Sequence, residues 1–275
     1  MAQGIEKIAK YFWNGQKWTK DDLQEFLLKV SQGLIDGCSV VHKFGRNSNV
    51  STSVVPVCDG GFYRTPTSPV ILEAISTSTN DTAAGNGAQK ITVIYLDSGF
   101  EQQTGTLEMN GTTATTEKIT DVMRVFRIYV SRSGSYATQS QASQDGTITL
   151  RVNGGGDTWA TLPLITANFG AGQSLIGCYT VPAGKTAYIL SSMITVDSNK
   201  TANLHFFKRE NADDVTTPFS GVMRLQNLYT GVTGVHEITH LTNESFPEKT
   251  DIGFLASAGA ASDVSVEFEL LLIDN

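Results

Sequence analysis

One stretch of this sequence has the residue types and spacing of a reaction centre: His236-Glu237-Ile238-Thr239-His240. On a helix, histidines at this spacing share a face and can grip one zinc ion, while the glutamate activates the metal's water. That chemistry requires the helix, and the flanks oppose one. Gly231, Val232, Thr233, Gly234, Val235, Ile238 and Thr239 are glycine or β-branched, and both kinds weaken helices. On a strand the two histidines stand about 13 Å apart, at a rise of about 3.3 Å per residue. One ion cannot bridge that. Asn243 and Phe246 stand where longer zinc-protease patterns place a glycine and a histidine, so the third ligand is missing too. The spacing predicts two solvent-facing or rim histidines on a strand.

The other candidates are weaker. Gly154-Gly155-Gly156-Asp157 has no following Gly-Lys-Ser/Thr and no helix, which makes it a hairpin loop and not a phosphate cradle. Ser174 follows Gly172-Gln173 and lacks the glycine pattern of a nucleophile elbow. His42 and His205 are isolated, and His205 alternates with Leu204 and Phe206 as an outer-face strand residue does. Cys38, Cys58 and Cys178 are odd in number and contain no C-x-x-C, so neither a zinc site nor a disulfide framework is indicated. A Cys38–Cys58 bridge is open, as are three separate thiols. No catalytic, cofactor-binding or metal-binding residue is assigned, and the reading is of a protein that is not an enzyme.

The elements that would position any site are mostly strands. From about residue 67 onward Thr, Ser, Val and Ile dominate, and Gly or Asn recurs every 8 to 12 residues. Ile91, Val93 and Tyr95 alternate, as do Phe126, Ile128 and Val130, and Thr147–Val152 alternates polar with apolar. Asn86-Gly87, Asn110-Gly111, Asp145-Gly146 and Asn153-Gly154 mark tight turns. This predicts about six strands over 69–163. In the second block Val181-Pro182-Ala183-Gly184 reads as a turn, with Ser174–Thr180 and Thr186–Val196 as the arms of a hairpin. Tyr188, Leu190, Ile194 and Val196 are expected on one face of the second arm. Val264, Val266, Phe268, Leu270 and Leu272 point one way on the last strand, and about seven strands fit this block. The expected fold is mainly β: two tandem antiparallel β-sandwich or jelly-roll-like domains, 67–165 and 166–275, with a short helical N-terminal arm.

That arm is residues 1–37, and an extended connector is expected over 38–66. Thr19 can cap a helix whose first turn holds Asp21 and Asp22. Leu23, Phe26, Leu27, Val30 and Leu34 share its apolar face, with Gly33 and Gly37 as stop signals. Ile5, Ile8, Ala9 and Phe12 predict a shorter amphipathic piece ahead of it, beside Trp13 and Trp18. The stripe packs on its own domain or docks on a neighbouring subunit. On the second alternative the partner-binding residues are Phe12, Trp13, Trp18, Leu23, Phe26, Leu27, Val30 and Leu34.

Composition bounds the partners. The chain of 275 residues is 40% hydrophobic and 17% charged, a balance that excludes global disorder. Its net charge of −7, with no Lys/Arg run, argues against nucleic acid. No apolar run approaches the roughly 20 residues of a membrane helix. The first residues lack the apolar core of a signal peptide, so synthesis in the cytoplasm without export by that route is expected.

Four segments together resemble a family of virion structural proteins of tailed bacteriophages, many from marine and cyanobacterial hosts. They are Val41-His42-Lys43-Phe44-Gly45-Arg46-Asn47 with Asp59-Gly60-Gly61-Phe62-Tyr63; Ser78–Gly85 leading to Gly87-Ala88; Tyr179–Tyr188; and Phe246-Pro247-Glu248-Lys249-Thr250-Asp251-Ile252 with the terminal Leu272–Asn275. Cys58 stands where the family's W-D-G-G-x-Y turn has tryptophan. The resemblance covers roughly 41–275 and leaves the helical arm outside. It implies a structural protein of the virion, assembled in the host cytoplasm, with no catalytic residue to carry over and no cofactor. A capsid decoration or cement protein bridging subunits of the major capsid protein is the first expectation, as a homo-oligomer, a trimer by preference. A tail, adaptor or fibre component with an attachment role is the alternative. For a receptor or glycan binder, the loop aromatics Tyr136, Trp159 and Tyr229 would be the anchors.

Overall fold

The structure is a computed structural model and describes residues 10–13, 18–21, 23–136, 143–166, 169–240 and 244–275. It is mainly β, and its sheets are antiparallel, as the alternation predicts. The N-terminal segment is only partly helical. β1 (Lys10–Trp13) and β2 (Trp18–Asp21) pair as a two-stranded ribbon. Phe12, Trp13 and Trp18 therefore lie on strands, not on a second helix, and Thr19 is a β2 residue and not a helix cap. Aromatic residues and threonine favour extended backbone, which outweighs a short helical spacing. Ile5, Ile8 and Ala9 lie outside the described residues. α1 (Leu23–Ser31) follows. It ends where Gly33 takes φ +70°, with Leu34 N–H donating to Lys29 O and Gly33 N–H to Val30 O, both at 2.9 Å. This is the glycine stop expected there.

The stretch from 38 to 66 is not all connector. β3 (Cys38–Val50) is a strand of 13 residues, and β4 (Val55–Pro56) is a short one. Polar residues on the open face of β3 hide its alternation, for only Lys43, Gly45, Asn47 and Val50 are buried. β5 (Val70–Ser76), β6 (Ala88–Leu96), β7 (Gln102–Glu108), β8 (Ile119–Val122), β9 (Arg124–Ser133), β10 (Ile148–Val152) and β11 (Thr158–Leu162) build two sheets, ordered β11-β10-β5-β8 and β7-β6-β9. β12 (Leu164–Thr166) and β13 (Phe169–Gly170) form a small ribbon. The remaining strands are β14 (Cys178–Thr180), β15 (Lys185–Val196), β16 (Ala202–Arg209), β17 (Met223–Val232), β18 (Gly234–Thr239), β19 (Ser245–Phe246), β20 (Asp251–Ala258) and β21 (Ser262–Asp274). They give the sheets β14-β20-β16-β17, with β4 added to β20, and β18-β15-β21-β3, with β19 added to β15.

The four larger sheets have a propeller-like, four-bladed disposition. Their apolar residues nonetheless gather in two clusters. Leu72, Ile91, Leu107, Ile128 and Leu150 belong to one, drawn mainly from the first two sheets with Cys178 and Phe207 added; Ile194, Leu204, Phe206, Phe254 and Phe268 belong to the other, drawn mainly from the last two with Leu96 and Phe126 added. Burying each such side chain contributes about 1.5–3 kcal/mol, and this fixes which face of each strand turns inward. On β21 the face is as the alternation predicts: Val264, Val266, Phe268, Leu270 and Leu272 are all buried.

Two expectations in the second block fail. Val181–Gly184 does not close a hairpin. Cys178–Thr180 pairs with β20, not with β15, so the turn carries the chain from one sheet to the other. Val181 instead exchanges backbone hydrogen bonds with the Lys249–Thr250 segment. On β15 the register slips between Ile189 and Ser191, a bulge at Leu190. Ala187 and Ile189 thereby share the inner face with Ile194 and Val196, while Tyr188 and Leu190 are half-buried on the other side.

Candidate functional site

The H-E-x-x-H stretch is a strand and its end. His236 sits on β18 opposite Ile194, and its Nε2 lies 2.8 Å from the carbonyl of Thr233. Both His236 and Glu237 are exposed. His240 follows β18 and meets the Oγ of Ser192 at 3.0 Å. The helical grip on zinc is absent, and among the described residues no three His, Cys, Asp or Glu side chains are grouped to hold a metal. Ser192 and His240 have the types of a nucleophile and its base. Ser192 is only 4% exposed, which seals its hydroxyl from a substrate. Burial holds the His240 pKa below the ordinary histidine value, against the pull of Glu244, and the Glu244 carboxylate also faces Lys208 at 3.6 Å.

The segments that carry the family resemblance serve the fold. Lys43 is buried and donates from Nζ to the carbonyl of Phe126 at 2.6 Å. Arg46 forks onto Asp263, and Asn47 Oδ1 accepts from the Asn49 N–H. Gly60 and Gly61 both take positive φ in the turn after Asp59. Asp81 is fully buried and accepts from the N–H groups of Ala88, Asp145 and Gly146 and from Ser76 Oγ. These bonds tie the 78–88 turn to the Asp145-Gly146 turn. Asp251 of β20 is the centre of a buried clamp. Arg124 of β9 grips it through Nε at 3.0 Å and a terminal nitrogen at 3.1 Å, and Arg209 of β16 and Thr180 of β14 add their own bonds. Tyr63 closes the chain of contacts on Thr180 at 2.8 Å. Polar groups committed in this way hold strands and turns in place.

Lys43 has a measurable signature. Burial first, then the Arg127 charge, lowers its pKa to about 7. In the unfolded chain a lysine titrates near 10.4. Between these values the unfolded state binds more protons, so stability rises with pH there. We expect the denaturation midpoint to increase from about pH 7 to about pH 8.5, and a Lys43→Met variant to lose that increase; equal slopes in titrated urea melts would refute it. The neighbouring thiols Cys58 and Cys178 approach to 3.9 Å, both buried and unbridged, so the Cys38–Cys58 pairing does not occur. Burial pushes the Cys178 thiol well up, the state of an unreactive thiol.

Outside these networks lies an apolar surface on β17. The β16–β17 register shifts between Phe206 and Phe207, which makes a bulge at Gln226. Met223, Leu225 and Leu228 therefore align on one face, opposite Arg209, Phe207 and His205. Further across the sheet the same rows continue to Asp251, Gly253 and Leu255 of β20. Phe207 and Leu255 pack into the first cluster, whereas Met223, Leu225 and Leu228 are more than half exposed. A cavity of about 480 Å³ opens beside them, lined in part by Arg209, Val215, Phe219 and Val222.

No family model matches this chain, and no curated protein matches it. Among solved structures, the infectious bursal disease virus Gx strain structure aligns over 86% of this chain and 76% of that chain, at 10% identity and a TM-score of 0.21. An isomalto-dextranase of Arthrobacter globiformis T6 aligns over 85% of this chain and 35% of that one, at 11% identity and a TM-score of 0.23. Likenesses this low imply neither a shared fold nor a shared function.

The residues expected to bind partners are dispersed. Val30 is buried, Phe26 and Leu27 are half-buried, and Leu34 is 66% exposed. Phe12, Trp13, Trp18 and Leu23 are placed by backbone alone, on β1, β2 and α1. Trp159 belongs to the first core and Tyr229 packs against the second, while Tyr136 is 90% exposed. Sequence reading passed over β17 because its apolar spacing matches neither strand nor helix until the bulge is allowed for. The signal available was charge: from 215 to 235 the only charged residue is Arg224.

Proposed function

We propose that this chain is a structural protein of a tailed-bacteriophage virion, most simply a capsid decoration or cement protein that bridges subunits of the shell, and not an enzyme. The observation that carries this reading is the division of labour among its residues. The segments resembling the phage family are spent on internal clamps and turns, and the surface left over is an apolar strip suited to packing. We read the two cores as two tandem sandwiches, one for each pair of blades, with β3 lending its strand to the second. A closed homo-oligomer, a trimer by preference, would present several such bodies to the shell. Contacts of about 1,600 Å² in total suffice for a stable interface, and repeated over a shell they resist internal pressure without chemistry.

Particles from a host carrying this gene, labelled with gold-tagged antibody to the chain, test the reading. Label over the head is expected. Label confined to the tail would favour the adaptor or fibre alternative, and unlabelled particles beside abundant soluble protein would overturn both.

A further inference from the structure

We propose that the strip Met223, Leu225 and Leu228, with Val215, Phe219 and Val222 beside it, is the surface on which further copies of this chain dock to close a symmetric oligomer. The proposal rests on the oligomer included in the function above, but not on the particle.

Continuity is the first ground. One face of the β14-β20-β16-β17 sheet carries two apolar rows, Leu225–Phe207–Gly253 and Leu228–His205–Leu255, with the Asp251 clamp at their end. Its inner rows, Phe207 and Leu255, are already covered by the first core, and the β17 row extends past that cover. An apolar face half covered within the chain is finished by whatever covers the rest.

Charge selects the occupant. The chain carries −7, so copies repel wherever their acidic surfaces meet. Over 215–235 the single charged side chain, Arg224, already faces Glu210 at 3.4 Å. At the cavity end Asp214 accepts from Ser220 and Arg209 is held by Asp251, so the charges at this surface are already partnered within each chain. A nucleic acid or a strongly charged protein would find no counter-charge to recognise.

β17 ends its sheet and runs for ten residues. The bulge at Gln226 and the charge of Arg224 turn strand pairing away from this edge, so a second copy meets the side-chain face of β17. The six apolar side chains are open to between 41% and 56%. Together they expose on the order of 500 Å², the core of the roughly 800 Å² that each partner gives a standard interface.

Light scattering on the purified full chain tests this. The wild type is expected at a small multiple of 29.6 kDa, and the double variant Leu225→Asp/Leu228→Asp at the mass of a single chain. Val54→Asp, which places a charge on an exposed apolar residue elsewhere, should leave the oligomer intact. A monomeric wild type, or a double variant that keeps the wild-type mass, overturns the proposal. Should the double variant not fold, hydrogen exchange on the wild type decides. β17 amides that slow with rising concentration support docking there, and concentration-independent exchange refutes it. Absence of the chain from particles would sink the virion reading and leave this contact standing.

Discussion

Asp251→Asn is expected to lower the unfolding free energy by about 3–5 kcal/mol, the usual effect of removing one partner from a buried ion pair. Arg124 is fully buried and Asp251 nearly so. Burial alone would raise the Asp251 pKa, but the Arg124 charge and hydrogen bonds, with Arg209 and Thr180, overcome it and hold the carboxyl below its ordinary value. Asparagine keeps the shape and removes the charge. The Arg124 guanidinium is then left without a counter-ion in a site closed to water, stacked 5.5 Å from the Phe100 ring. Because β9 supplies Arg124 while β20, β16 and β14 supply its partners, the loss uncouples the first pair of sheets from the second. Urea denaturation of the variant measures the effect, and adding Arg124→Met should recover part of it, since an uncharged pair leaves no buried ion. The sign with pH follows from the lowered pKa. The contribution is present above the unfolded carboxylate value of about 3.9 and is lost as pH falls through the folded one. Asp251→Asn should therefore flatten the acid limb of the wild-type stability profile. A variant with unchanged midpoint would show that the clamp does not couple the sheets.

Gly45→Ala is expected to cost at least about 3 kcal/mol or to abolish soluble expression, at the upper end for overpacking. The requirement is close approach and not a special φ. A Cβ at Gly45 would collide with the backbone of Gly177 and the carbonyl of Val57, neither of which can rotate away as a side chain would. Gly177 is hemmed in turn, its own Cβ falling 2.6 Å from Val266 Cγ2, and a Cβ on Gly253 would meet Cys178 Sγ at 2.7 Å. β3, the segment before β14 and β20 therefore cross through three glycines. Gly259→Ala is the control: a Cβ there meets nothing within 4 Å, and the change should stay within about 0.5 kcal/mol. Equal thermal midpoints for the two variants would refute the crossing.

The β class was legible because burial on one face of a strand leaves a period of two, and β21 shows it from Val264 to Leu270. The stretch around His236 could be read as a strand for the same reason, since glycine and β-branched residues surround it. What could not be read were the places where one residue breaks the period. The bulges at Leu190 and Gln226 each turn the following residues to the other face, and no local signal announces them. β3 escaped because its inward positions are filled by Lys43, Gly45 and Asn47, which look like loop residues until the bond of Lys43 to Phe126, the close crossing at Gly45 and the bond of Asn47 to Asn49 are seen. The Val181–Gly184 turn has the right residues for a hairpin, but Cys178–Thr180 pairs with the distant β20, where Thr180 also joins the Asp251 clamp. The β17 surface was hidden twice, by its bulge and by the ordinary appearance of Met223, Leu225 and Leu228 in a chain that is 40% hydrophobic.

Peptide counting by mass spectrometry on density-gradient-purified phage particles addresses the central claim most directly, that this protein works by standing in contact with others. A virion role predicts the chain at a fixed number of copies per particle, retained through a high-salt wash because apolar contacts are not screened by ions. Particles of full infectivity and normal composition that contain none of it would contradict that role.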